Sequence, residues 1–475
     1  MEEGVKTDDG RGDDHETLKP RISSSLYLTL IASGGGLVYG YYVGFIIARL
    51  GVLGDLDSVL HEIIGTGLVG AILGAAAGGW VNDCLGRKCS ILIAGALIFI
   101  GAVLLVLLLS IGDSGLYSNY FLETTGNIFI AFGVGMASTS SPLYISESSP
   151  PKLRDILVSI NFIFYGVGKL TFLYLYDDRE NDAIKAAKEM YTCCVVGKES
   201  DALRLLIRSG TTDEDELSLS GSCIFFKIRS AWSNPLVRKQ FVVGTCLQAA
   251  QQLVGINALI YCIPSIHRMI GFGASYPKGD IPFMKTSLWE SFGLLSVPSG
   301  ICCTFCLMER FEKRKMLSWS IYCVLAVLLG LSSVCIIISP DTDEVVSQFN
   351  RCSSYHILGQ SSGACLIPES SVTIQDCYNV FALPVIFMFS MLMLSGSLEI
   401  IPWIMNSQMY PTEVRGIYGG TAAAANWTLF LIIIIFYFFV TKTQGPFFTC
   451  LLISFLCFFV HQVVCTRKHR LLDIN

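Results

Sequence analysis

The chain has 475 residues, 52% hydrophobic and only 15% charged, with a net charge of −5. Soluble proteins carry charge at about 25% of positions, and a mean hydropathy of +0.57 marks more apolar sequence than a soluble core of this length can hide. The composition excludes a soluble domain, and without a large basic cluster it excludes a nucleic-acid binder; it is that of an all-α protein crossing a membrane many times.

Residues 1–24 are polar and acidic and lack the apolar core and small-residue cleavage site of a signal peptide. They are expected to form a disordered cytosolic tail, and the Arg11-Gly12-Asp13 tripeptide is read as part of it. A helix needs about 20 apolar residues to cross a bilayer. Eleven such stretches begin near residues 25, 61, 90, 125, 155, 240, 286, 317, 379, 417 and 446. Short loops rich in Lys and Arg favour the cytosol; those at 86–88, 152–154, 238–239, 310–315 and 467–470 carry that bias. Counting from a cytosolic N-terminus places the first two of these inside. Five spans then leave Tyr176 outside, whereas Arg238-Lys239 asks to be inside. Either a sixth span has been lost or a weak segment such as 190–197 dips into the membrane. The expected organisation is a five-span bundle over 25–176, a polar segment at 177–238, a six-span bundle over 239–466 and a cytosolic tail at 467–475. Two similar halves joined by a polar segment are the layout of transporters that bind substrate between their halves.

No chemistry beyond binding is signalled. The six histidines are scattered, no phosphate-cradling glycine loop is present, and no cofactor, metal or enzymatic activity is expected. Most of the 18 cysteines lie in apolar runs, where Cys acts as a small hydrophobe. Cys352, Cys365 and Cys377 share one polar loop that has room for a single disulfide.

One apolar stretch is anomalous. QAAQQLVGIN places Gln248, Gln251, Gln252 and Asn257 at membrane depth, where an unpaired amide costs about 2–7 kcal/mol. The glutamines recur at helical spacing and share one stripe. Facing a wet cavity, that stripe offers both donors and acceptors to hydroxyl groups. Facing another helix, it glues the two together at about 0.6 kcal/mol per bond. The density of amides favours the binding site.

Several motifs resemble one family. GGWVNDCLGRK at 78–88 is similar to the Gly-x-x-x-Asp-x-x-Gly-Arg-Lys signature of the major facilitator superfamily, and YISESSPPKLRD at 144–155 resembles the Glu-x-x-Pro-x-x-x-Arg motif of its sugar porters. QQLVGIN with Tyr261, and IIPWIMNSQMYPTEVRG at 400–416, resemble the seventh and tenth helices of that group. GVGMASTSSPLYISESSP and PWIMNSQMYP sit nearest its plant-type inositol transporters. The resemblance implies a two-bundle transporter with 12 helices, of which the sixth is missing from the count. It implies sugar or polyol contact at Gln251, Gln252, Asn257, Trp403 and Asn426, with Pro402 breaking the helix beside Trp403. It also implies a conformational latch of Asp83, Arg87, Glu147, Arg154 and Arg415, Glu147 pairing with Arg154. The partners implied are a small polyol or sugar and the lipid bilayer of a plasma or vacuolar membrane.

The sequence also departs from the family. Tyr42 and Asn127 stand where proton-coupled members have an Asp and an Arg, so proton coupling is not expected. Lys169 replaces a sugar-contacting Gln, a cation costing about 2.5–3.5 kcal/mol at mid-membrane; it is expected to tilt to an edge or to mark relaxed constraint, the alternative being a positive charge in the cavity that favours an anionic ligand. Asp155 and Glu312 replace turn glycines, and Gln408 replaces a Glu, weakening the latch with Arg415. These losses support an alternative of another class, a non-transporting sugar sensor or a decayed transporter paralogue.

Overall fold

The computed structural model describes residues 25–51, 67–111, 116–178, 228–253, 299–308, 310–337 and 396–461. Both expected tails, most of 177–238, the starts of the spans near 286 and 379, Asn257 and the loop cysteines Cys352, Cys365 and Cys377 lie outside these residues.

The regular structure among the described residues is helical. The first half contributes α1 (Gly34–Gly51), α2 (Leu68–Cys84), α3 (Arg87–Ile111), α4 (Leu116–Ser148) and α5 (Arg154–Asp178). The second contributes α6 (Pro235–Leu253), α7 (Lys313–Ile337), α8 (Gly396–Gln408) and α9 (Arg415–His461). Five described helical segments are long and apolar enough to cross a membrane: Ser25–Ile46, Arg87–Leu107, Phe121–Ser148, Arg154–Phe172 and Arg415–Phe436.

Two expectations need correction. The spans expected near 417 and 446 run as one 47-residue helix, α9. At 1.5 Å per residue this is about 70 Å, more than twice a hydrocarbon core of about 30 Å. Gly445 and Pro446 both lie within this helix. Likewise Pro402 does not end its helix but sits inside α8. Membrane helices tolerate proline because neighbouring groups satisfy the backbone it frees.

Within the first half, α3 and α2 pack on α4, and α1 packs on α5; within the second, α6 and α7 pack on α9. The halves meet where α9 crosses α2 and α4 and where α8 crosses α4 and α5. Small residues make the first crossing possible. A Cβ on Gly420 would lie 2.5 Å from the Gly79 Cα, and one on Gly79 would lie 2.6 Å from the Gly416 carbonyl oxygen. Only glycine allows backbones so close. Gly86, at φ 86°, makes the left-handed turn from α2 to α3 that the 78–88 motif requires.

Candidate functional site: an amide cluster and a tryptophan wedge between the halves

Gln248, Gln251 and Gln252 are all buried on α6, on the stripe their spacing implied. They face α9, where Asn426 is the hub. Asn426 Nδ2 donates to the Gln248 carbonyl at 2.9 Å, to Gln248 Oε1 at 3.0 Å and to Gln251 Oε1 at 2.8 Å. Gln252 Nε2 donates in return to Asn426 Oδ1 at 3.0 Å. The stripe therefore points into protein, and its bonds tie α6 to α9. Gln248 Nε2 has no hydrogen-bond partner among the described residues, so the cluster keeps a buried donor unspent.

Beside the amides, two tryptophans reach between the halves. Tyr39 of α1 contacts both, with ring centroids 5.8 Å from Trp403 and 5.4 Å from Trp427. Phe162 of α5 packs on Trp403 at 6.1 Å, and Trp427 Nε1 donates to Ser138 Oγ of α4 at 3.4 Å. Tyr42, at the position of the missing acid, lies 6.2 Å from the Trp427 ring. The apolar wall expected at Trp403 thus exists as a wedge covered by first-half aromatics.

Lys169 does not tilt to an edge. It is 3% exposed, its Nζ lies 5.9 Å from the Tyr165 ring centroid, and that Nζ has no hydrogen-bond partner among the described residues. The charge acting on it across the halves is Glu399 of α8, itself 6% exposed. Gln251 Nε2 approaches Glu399 Oε2 at 3.5 Å, linking this acid to the amide cluster. Sequence reasoning missed Glu399. The signal was present, since a cation at mid-helix needs a counter-charge and Glu399 is the acid one turn before Trp403.

Toward the loops that the charge bias assigns to the cytosol, the halves are shut. The Gly416 and Ile417 backbone N–H groups donate to Asp83 Oδ1 and Oδ2 at 2.9 and 2.8 Å. Asp83 thus caps the start of α9 from the other half, where a carboxylate meets unspent donors and the positive end of the helix dipole. Arg87 lies 3.4 Å from Asp83 and 2.8 Å from Glu147, and donates to the Thr412 carbonyl at 3.2 Å. Arg415 reaches Glu147 at 3.2 Å.

The expected Glu147–Arg154 pair is not formed. Glu147 is taken by Arg87 and Arg415, and Arg154 Nε has no hydrogen-bond partner among the described residues. Nor does Gln408 simply erode the latch. It donates to Asp155 Oδ1 at 2.9 Å, while Lys313 pairs with Asp155 Oδ2 at 2.7 Å. Between Trp403 and this latch remains a void of about 10 Å³, bordered by Asn82, Asn406, Arg415 and Gly420, barely room for one water.

The family model described as Sugar (and other) transporter matches residues 28–176 and 179–475. The chain belongs to that family. Inositol transporter 4 of Arabidopsis thaliana is 29% identical to it over 502 residues, covering 86% of this chain and 83% of that one. The proton myo-inositol cotransporter of Homo sapiens is 27% identical over 292 residues, covering 52% and 43%. Among solved structures, the proton:xylose symporter XylE bound to 6-bromo-6-deoxy-D-glucose superposes with a TM-score of 0.60 at 19% identity, covering 94% of this chain and 96% of that one. The fold is that of a major facilitator transporter, in the sugar-porter group. The protein is accordingly a multi-pass membrane protein.

Proposed function

We propose that this sugar-porter family member carries a polyol, inositol or a close relative, by alternating access and without proton coupling. The observation that supports this most is the Gln248–Gln251–Gln252–Asn426 cluster next to Trp403 and Trp427, at the seam of the two halves. Hydroxylated rings need amides that donate and accept, set beside flat apolar faces. The similarity to inositol transporters supports the same substrate class.

Facilitated diffusion follows from the neutral pair of replacements. Tyr42 and Asn127 are both buried, and neither side chain changes charge at ordinary pH. A symporter gains about 2.3 kcal/mol per charge per 100 mV from the membrane potential, and a carrier lacking the relay forgoes it. Counterflow of labelled myo-inositol in proteoliposomes tests the proposal. Exchange at equal rates with and without a pH gradient is expected; uphill accumulation driven by the gradient refutes the uncoupled mechanism.

The alternative of a decayed paralogue rests on the absent sixth span, on Lys169 and on the substitutions at 312 and 408. The Asp155 contacts to Gln408 and Lys313 weigh against decay, because they rebuild a cross-half bond from the substituted residues themselves. A sensor remains distinguishable by experiment, since it binds myo-inositol but gives no counterflow.

A further inference from the structure

We propose that Lys169 and Glu399 form a charged subsite that bridges two adjacent hydroxyls of the polyol, one held from each half of the protein. This rests on the polyol-carrier reading and assigns it a recognition element that the amide cluster does not supply.

The geometry is unusual. Lys169 on α5 and Glu399 on α8 are opposite charges, both more than nine-tenths buried and acting on each other across the seam. Yet among the described residues the ammonium makes no hydrogen bond, and there the carboxylate accepts only the long 3.5 Å contact from Gln251. Buried charges ordinarily close on one another, because an uncompensated one is costly. Among the described residues the groups facing Glu399 are Lys169 of α5, Tyr39 of α1 and Gln251 of α6. Lys169 is thus a donor in search of an acceptor, opposite an acceptor short of donors.

A vicinal diol fits both. An ammonium only donates and a carboxylate only accepts, whereas a hydroxyl does each. One hydroxyl oxygen accepts from Lys169 Nζ, and its neighbour donates O–H to Glu399. Such charge-assisted bonds are roughly twice as strong as neutral ones. Glu399 and Trp403 lie four residues apart on α8 and so share a face. A ring lying on Trp403 therefore presents its edge hydroxyls to the acid. The pair also sets specificity. A ligand carboxylate would suit Lys169 but meet repulsion from Glu399, so the subsite selects neutral polyols. Because the two charges belong to different halves, a ligand spanning them couples its binding to closure of the seam.

The test uses the full-length protein in detergent, with myo-inositol binding followed by titration calorimetry. Lys169→Gln and Glu399→Gln are each expected to weaken binding by about tenfold or more, the scale of losing one charge-assisted bond. Across a panel of monodeoxy-inositols, the unmodified protein should penalise loss of either bridging hydroxyl, and the two variants should not. Should a single variant fail to fold, the charge swap Lys169→Glu/Glu399→Lys is expected to bind myo-inositol, because a diol can bridge in either direction.

Variants that bind like the unmodified protein overturn the bridge. So does a folded swap that does not bind, or glucuronate competing better than myo-inositol. If Gln251→Ala loses binding while Lys169→Gln and Glu399→Gln keep it, the bridge falls and the polyol pocket stands. If the unmodified protein binds no myo-inositol, both fall.

Discussion

Gln408 and Asp155, 253 positions apart in sequence, join the two halves of the protein through a 2.9 Å hydrogen bond from Gln408 Nε2 to Asp155 Oδ1. Lys313 holds the other oxygen of the same carboxylate at 2.7 Å. The family's acid at 408 has in effect moved to 155, and an amide has taken its old place. Restoring the family residue at 408 alone should therefore do harm. Gln408→Glu sets two carboxylates in contact and loses the donor, at a cost of about 1 kcal/mol for a pair that is only partly buried. Myo-inositol counterflow should fall several-fold. Adding Asp155→Gly should recover it, since the new acid is then free of its rival. A Gln408→Glu protein as active as its parent would show that this contact does not govern closure.

Asp83 holds the Gly416 and Ile417 N–H groups in the first turn of α9 from across the seam while its side chain is only 2% exposed. Losing a cap of this kind costs about 0.5–2 kcal/mol, and here the loss falls on the shut conformation alone. Asp83→Ala should open the latch end, and Asp83→Asn, which keeps one acceptor, should do so less. Spin-label distances between α2 and α9 measure the shift. Unchanged distance distributions in the alanine variant would show that the Gly79–Gly420 packing closes this end unaided.

The fold was readable because membrane spans declare themselves by length and composition, and Asp83, Gly86 and Arg87 sit where one short motif places them. The glutamine stripe was readable from spacing alone. Cross-half relationships were not. Glu399 is a single acid in an apolar run, and only its position opposite Lys169 gives it meaning. The family resemblance pairs Glu147 with Arg154, yet Arg415, 268 positions away, makes the contact. Periodicity reports which residues share a helix face, but not which distant helix that face will meet.

Gly420 sets how closely α9 can approach α2. A methyl group there would sit 2.5 Å from the Gly79 Cα, a backbone atom that no rotamer change can move. Gly420→Ala should hold the latch end apart, lowering counterflow by about tenfold, equivalent to 1.4 kcal/mol. Equilibrium binding of myo-inositol should weaken in parallel, because Lys169 and Glu399 would hold the ligand from opposite halves. Unchanged binding would mean that the amide cluster, which lies within the second half, holds the ligand without closure.

Asn426 decides between the two roles open to the amides, binding a polyol or merely joining α6 to α9. Its removal strands Gln248 Oε1 and Gln251 Oε1 and takes one hydrogen bond from Gln252 Nε2. Each buried orphan costs about 1–3 kcal/mol, less whatever the glutamines regain by pairing with one another. Asn426→Ala should therefore lower the melting temperature under either role. The roles separate when ligand is added. A ligand at 100 times its dissociation constant stabilises the folded state by about 2.7 kcal/mol, so the unmodified protein should melt higher in saturating myo-inositol. If the cluster binds polyol, Asn426→Ala should lose that increment along with its baseline stability. If the amides serve only as glue, the variant should melt lower by the same amount with and without myo-inositol, and the carrier proposal would lose its principal support.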